Sequence, residues 1–252
     1  MNSELINYHN ADKIYEEVLE IFKFDKEKDI QARDILYEFR KRFDPETTTE
    51  TIKKKIIGKK LYFFGAGPNL IEHLKKIHDN IRTNRKNYYL IAADGSARAL
   101  SLFSLIPDLI FSDLDGLTHS QIEMFLKLNS NIIVHGHGDN IEKLRIFKDL
   151  LSTPQESIKI ICTTQVESRY PVLNPGGFTD GDRSVFFCHH LAPLKQNFTL
   201  FGYDFGGKVG IYSKNKYKQE QTPDPIKKKK LLFCQKLLNQ LSILEDRTIS
   251  FF

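Results

Sequence analysis

The chain has 252 residues, 40% hydrophobic and 27% charged, with a formal net charge of +5. This length suits one large domain, or one domain with a small appendage, around a substantial core. The mild basicity suits a phosphate-bearing ligand but is too weak for a nucleic-acid partner. No apolar run reaches the roughly 20 residues of a membrane span.

The opening MNSELINYHNADKIYEEV is too polar for a signal peptide, so no membrane partner and a cytoplasmic location are expected. Up to residue 57 the chain reads as helical and charged. Ile14, Val18 and Phe22 share one helical face; Ile30, Ile35, Leu36, Phe39 and Phe43 share another. Pro45 and the PETTTE stretch mark a turn and a new helix start. From Lys60 the rhythm changes to short β-prone runs: LYFF (61–64), YYLIAA (88–93), DLIF (108–111), NIIV (131–134), IKIIC (158–162) and FTLF (198–201). Most gaps have room for a helix. After the first run, Leu70, Leu74, Ile77 and Ile81 repeat at helical spacing, with Pro68 near the start. The expected fold is α/β: a mainly parallel, Rossmann-like sheet flanked by helices, with a small N-terminal helical region. The division expected is 1–57 for that region and 58–252 for an α/β catalytic domain. Near the end, KKKK (227–230) precedes Leu231, Leu232, Leu237, Leu238 and Leu241 and reads as a solvated helix end, with a phosphate-binding patch as the alternative. Cys162, Cys188 and Cys234 are widely spaced and read as reduced packing residues.

In an open parallel sheet, ligands bind outside the carboxyl ends of the strands. The residues there are GAGPN (65–69), DGSAR (94–98), SDLDG (112–116), HGHGDN (135–140), TTQ (163–165) and GYDFGG (202–207), with GGFTDGDR (176–183) between the last two. Asp94, Asp113, Asp115, Asp139, Asp180, Asp182 and Asp204 thus gather at one rim of a net-basic protein. Carboxylates crowd where a hard cation neutralises them, and Mg²⁺ prefers oxygen ligands. In extended chain, residues i and i+2 point the same way, so Asp113 and Asp115 are expected to face one ion, joined by Asp139. Gly65, Gly67 and Asn69 form a glycine-rich strand-to-helix turn suited to phosphate. His135 and His137 could hydrogen-bond phosphate or substrate; a His-x-His-x-Asp metal site is the alternative. Phe178 could stack on a flat ring, Arg183 could neutralise phosphate charge, and Lys208 is a further phosphate candidate.

Taken in order, GAGPNL, AADGSARAL, IPDLIFSDLDG, HGHGDN, TTQ, GGFTDGDRSV and YDFGGKVG resemble the archaeal-type 6-hydroxymethyl-7,8-dihydropterin pyrophosphokinases. The helical start and the PDPIKKKKLLF tail resemble that family too, so the likeness spans nearly the whole chain. A more distant likeness is to the thiamin pyrophosphokinases, in which Asp113 and Asp115 match the metal-binding acid pair and Asp139 a later acid. Asn69, Gly136 and the Cys188-His189-His190 segment depart from the family pattern. The resemblance implies Mg²⁺-dependent transfer of diphosphate from ATP to a pterin hydroxymethyl group, releasing AMP, in folate or methanopterin biosynthesis. It implies ATP and a small pterin alcohol as partners; the thiamin-type likeness points to a homodimer.

On that reading Asp113, Asp115 and Asp139 hold the metal, while Gly65, Gly67 and Asn69 line the nucleotide phosphates beside Ser96, Thr179 and Lys208. Arg98 and Arg183 take up charge on the transferred group. Asp182 or Asp139 handles the hydroxyl proton, and Asp180 or Asp94 pairs with the pterin ring. Three other readings stay open. One is a binuclear metallohydrolase centred on His135, His137 and Asp139. The others are a thiamin-type diphosphokinase for another alcohol and a non-catalytic nucleotide-binding domain.

Overall fold

The computed structural model describes residues 6–153 and 159–252. The first five residues, and the Ile158 that opens the fifth apolar run, lie outside the described residues. Three helices come first: α1 (Ala11–Phe22), α2 (Lys26–Arg40) and α3 (Glu46–Ile56). Strands and helices then alternate. The strands are β1 (Lys60–Phe64), β2 (Tyr88–Ala93), β3 (Leu109–Ser112), β4 (Asn131–Gly136), β5 (Ile160–Thr164), β6 (Phe198–Phe201) and β7 (Ile249–Phe251). Between them lie α4 (Leu70–Thr83), α5 (Ser96–Leu102), α6 (His119–Lys127), α7 (Ile141–Ile146), α8 (Lys148–Ser152), α9 (Asp180–Leu191) and α10 (Pro225–Leu244).

All seven strands form one sheet in the order β5-β4-β3-β2-β1-β6-β7, every pair parallel. The cause is visible strand by strand. Alternate residues bury on opposite faces, so both faces need a helical cover. Leu61, Phe63, Tyr89, Ile91, Leu109, Phe111, Ile133 and Ile161 pack with residues of α1, α3, α9 and α10. Ile110, Ile132, Val134, Ile160 and Cys162 pack with residues of α2, α6, α7 and α8. Phe64, Leu90 and Phe201 pack with α4 and α5. The chain winds outward from β1 to β5 and then returns to β6 on the other side of β1, so the winding reverses between β1 and β6. Such a reversal opens a crevice at the carboxyl ends of the strands.

The first helices are joined to this sheet. Leu36 on α2 is fully buried at 0% exposure. Arg40 donates to the carbonyls of Leu151 (3.1 Å) and Ile160 (2.8 Å). A Cβ at Gly136 would stand 2.5 Å from Leu36 Cδ1, so the small residue there fits the approach of α2 to β4. The histidines that depart from the family pattern also pack: His190 Nε2 lies 3.2 Å from the Pro175 carbonyl, and His189 Nδ1 accepts from Arg247 Nε at 3.2 Å. All three cysteines are buried and free. Among the described residues, no helix is long and apolar enough to cross a membrane. The seventh strand, ISF, is too short and too exposed to carry a strand signal in the sequence.

Removing the Leu36 side chain leaves a cavity between α2 and the sheet. Leu36→Ala is expected to cost about 2–5 kcal/mol in urea unfolding; a change near zero would show that α2 does not share the core.

Candidate active site

A cavity of about 390 Å³ opens at the carboxyl edge of the sheet. Its wall comes from the turns after β1 (Gly65, Gly67), β2 (Asp94), β3 (Asp113, Asp115), β4 (His137, Asp139) and β6 (Asp204), and from the start of α9 (Asp180). At its centre, carboxylate oxygens of Asp94, Asp113 and Asp180 lie within 4.8 Å of one another. Among the described residues no other group of acids, cysteines or histidines converges in this way.

The trio is set by the backbone. Asp94 sits one residue past β2 at φ +47°, its N–H held by the Phe111 carbonyl at 2.6 Å. Ser112 Oγ donates to Asp94 Oδ1 at 2.5 Å and accepts from the Leu114 N–H at 2.9 Å. Gly116 is required beside them: a Cβ there would lie 2.1 Å from Asp94 Oδ2. Asp180 is the first residue of α9, behind the N-cap Thr179.

Like charges this close cannot all ionise, and the titration shifts divide accordingly. Burial first, and the Asp113 carboxylate second, push Asp94 up to about 7. Burial, Asp113 and Asp94 push Asp180 well above the carboxylate range. Burial also works upward on Asp113, but the His137 imidazole outweighs it and holds Asp113 low; its Nε2 lies 3.5 Å from Asp113 Oδ2.

The sequence expectation of an Asp113–Asp115–Asp139 set differs from what the fold brings together. Leu114 has φ +67°, so the chain is not extended across it and the two aspartates do not share a direction. Asp115 instead pairs with Lys143, and with Lys214 at 3.0 Å. Those two lysines outweigh burial and hold Asp115 low. Asp139 is exposed at the rim, its N–H 3.3 Å from His137 Nδ1.

Several other candidates stand elsewhere. Asp182 and Arg183 are both at 0% exposure and do not line the cavity. Asp182 accepts from the N–H groups of Phe178 (2.7 Å) and Thr179 (2.8 Å) and from the Thr179 hydroxyl. Arg183 donates to the carbonyls of Gly176 (3.0 Å), Phe178 (3.3 Å) and Thr164 (3.4 Å). Both shape the Gly176–Asp180 turn rather than face a ligand. Ser96 Oγ donates to the Phe64 carbonyl at 2.7 Å, and Arg98 to the Tyr212 carbonyl at 3.2 Å. The N–H groups of Gly65 and Gly67 are already bonded to the carbonyls of Phe201 and Gly202, each at 2.8 Å. These glycines therefore serve close approach to β6: a Cβ at Gly67 would meet the Gly202 oxygen at 2.6 Å. Asn69 does not line the cavity. His135, His137, Thr179 and Asp180 do, as does Lys208, which pairs with Glu220 at 3.1 Å.

The basic half of the wall is Lys143, Lys214, Lys227 and Lys230; the sequence marks neither Lys143 nor Lys214, and the other two only through the alternative reading of their run as a phosphate-binding patch. Lys227 and Lys230 belong to the KKKK run. They lie three apart on α10, so they share a face that turns inward while Lys228 and Lys229 stay exposed. Burial pulls the Lys230 ammonium below its ordinary range. That three-residue spacing was the available signal.

The open parallel sheet and the acidic and basic cleft at its carboxyl edge define a Rossmann-like α/β protein built around one ligand crevice. Residues 35–210 match the family described as 6-hydroxymethylpterin diphosphokinase MptE-like. Three relatives carry the name 6-hydroxymethyl-7,8-dihydropterin pyrophosphokinase. The one from Methanocaldococcus jannaschii is 36% identical over 90% of this chain and 92% of its own. Those from Pyrococcus furiosus and Methanothermobacter thermautotrophicus are 35% and 33% identical over 90% of this chain, covering 90% and 91% of theirs. The chain belongs to the MptE-like 6-hydroxymethylpterin diphosphokinase family.

The raised carboxyls predict a pH dependence. A folded-state value above the unfolded one stabilises the fold at low pH, and that stability is lost as pH climbs from about 4 toward about 7. Without added cation, unfolding free energy is expected to fall across this window, by up to about 4 kcal/mol for the Asp94 carboxyl alone. Asp94→Asn, which tolerates the positive φ, is expected to flatten the slope. Denaturant melts at several pH values check this.

Proposed function

We propose that this chain transfers a diphosphate group from ATP to the hydroxymethyl oxygen of 6-hydroxymethyl-7,8-dihydropterin and releases AMP, as a cytoplasmic enzyme. The observation that carries the reading is that three convergent carboxylates and five lysines line one crevice. The names of the relatives supply the pterin and the diphosphate.

The donor set fits a hard divalent cation. All three groups offer oxygen, they converge from separate segments, and burial with mutual repulsion pushes two of them, Asp94 and Asp180, up despite the nearby Arg98, Arg183 and Lys227. Asp94, Asp113 and Asp180 would hold Mg²⁺, which when bound supplies charge neutralisation to the phosphates. The chain's own residues do the rest. Lys143, Lys214, Lys227 and Lys230 bind phosphate oxygens and hold the chain of phosphates in the crevice. Asp115, between Lys143 and Lys214, fixes where those two ammonium groups stand. The acceptor oxygen attacks the β-phosphorus, the bond from that phosphorus to the α-phosphate oxygen breaks, and AMP leaves. The hydroxyl proton passes to Asp139, a rim carboxylate that, among the described residues, makes no side-chain hydrogen bond. Asp182 and Arg183 act as positioning residues, holding Phe178, Thr179 and Asp180 in place. Asn140, which donates to the carbonyls of Asp113 (2.9 Å) and His135 (2.7 Å), locks the β3 and β4 turns together.

The test is product identity. ATP, Mg²⁺ and the pterin alcohol are expected to give AMP and a pterin diphosphate, resolved by chromatography; ADP with a pterin monophosphate would refute diphosphate transfer. Asp113→Asn is expected to lower kcat by about 100-fold or more with the melt preserved. Near-normal turnover in that variant would remove the metal assignment.

A further inference from the structure

The crevice has an aromatic end that phosphate chemistry leaves unused. Phe178, buried, stands two residues before Asp180. Phe24, on the turn between α1 and α2, faces it with ring centroids 6.2 Å apart and planes 34° from parallel. Lys230 Nζ lies 5.0 Å from the Phe24 ring centre and 5.7 Å from that of Phe178. The same wall carries His135, only 4% exposed, with Nδ1 3.2 Å from Thr163 Oγ1. Its Nε2 is buried with no well-aligned hydrogen bond, and the Gln165 side chain is near enough to act on it as an acceptor. Buried polar atoms left unpaired are uncommon and costly, and one that lines a cavity points to a ligand group.

Gln165, 7% exposed, has its orientation decided by a neighbour. Its Nε2 donates to Asp29 Oδ2 at 2.9 Å, and a carboxylate can only accept, so the amide oxygen is the atom turned away from Asp29. Asp29 is itself buried and immobilised. It accepts from Tyr15 Oη at 2.7 Å and from the Gly138 N–H at 2.6 Å. Two polar atoms are thus held rigidly beside two phenyl faces. This seat adjoins the acidic trio. The His135 and His137 rings are 5.7 Å apart at 22°, and His137 reaches Asp113.

We propose that Phe24, Phe178, His135 and Gln165 form the acceptor-ring seat, taking a flat nitrogen heterocycle against the apolar Phe24–Phe178 surface with its polar edge toward His135 Nε2 and the Gln165 oxygen. The proposal rests on the diphosphokinase reading and adds to it. Ring selection falls partly to Phe24, which like Asp29 precedes residue 35, where the family match begins. Asp29 is a positioning residue for Gln165. The seat orients the heterocycle so that a substituent on the far side of the ring meets the trio.

Binding of 6-hydroxymethyl-7,8-dihydropterin, followed by fluorescence, is compared in wild type, Gln165→Leu and Phe24→Leu. Binding of a non-hydrolysable ATP analogue with Mg²⁺ is measured on the same proteins by calorimetry. Each variant is expected to weaken pterin binding about tenfold and to leave the nucleotide Kd within about twofold. Unchanged pterin affinity in both variants, or nucleotide affinity lost in parallel, would overturn the seat. If Gln165→Leu does not fold, the conservative Phe24→Leu, at a part-buried position on the α1–α2 turn, decides alone. Wild-type protein that binds the pterin and releases AMP while both variants bind as tightly removes the seat only. Wild-type protein that binds no pterin removes the diphosphokinase reading and the seat with it.

Discussion

Three carboxylates from three separate segments meet at the carboxyl edge of the sheet, and their mutual repulsion is the constraint around which the crevice is organised. Asp94 and Asp113 come from adjacent parallel strands, whose register places Ala93 opposite Phe111. Asp180 comes from the helix laid across β1, β2 and β3. Nothing local favours this gathering. It persists because the sheet and α9 are fixed by packing, with Phe186, Phe187 and Phe111 in one core. A divalent cation with its phosphates is the group that would relieve the repulsion, which is why the site reads as poised rather than complete.

The details around the trio follow from that constraint. Two non-glycine residues with positive φ, Asp94 and Leu114, stand at the trio, and such strain concentrates where geometry serves a site. Gly116 leaves the space that the Asp94 carboxylate occupies. Asp182 caps the start of α9 from beneath, and buried Arg183 ties the carbonyls of the preceding turn, so Asp180 projects from a rigid base. Lysines line the same crevice and keep it electrically mixed. Acidic and basic groups together suit a ligand that carries both a cation and phosphate oxygens.

Much of this was legible in the residues. Six apolar β-prone runs became strands because each is buried on both faces, and that demands uninterrupted apolar sequence. β7 escaped because three half-exposed residues carry no such pattern. The rim acids were legible as a set, since strand ends define where ligands bind. Their partnership was not. The pairing of Asp113 with Asp115 assumed extended chain, and one residue with positive φ redirects it. Asp182 and Arg183 look identical in sequence to solvent-facing catalytic groups; only packing shows that both are enclosed and bonded. The strand-to-helix turn at Gly65 and Gly67 was legible, but the carbonyls that take their N–H groups, Phe201 and Gly202, lie 136 and 135 residues onward. Asp29 and Phe24 were silent for the same reason, since their partners, Gln165 and Phe178, are distant in the chain.

On the proposed reading, Asp94 and Asp180 hold protons that they give up when a cation binds. Calorimetric titration of Mn²⁺ into the protein at about pH 6, repeated in buffers of different ionisation enthalpy, counts the protons released on binding. The account predicts release of a substantial fraction of a proton per bound ion, lost in Asp113→Asn together with the binding. Tight binding with no proton release, or binding undiminished in that variant, would contradict it.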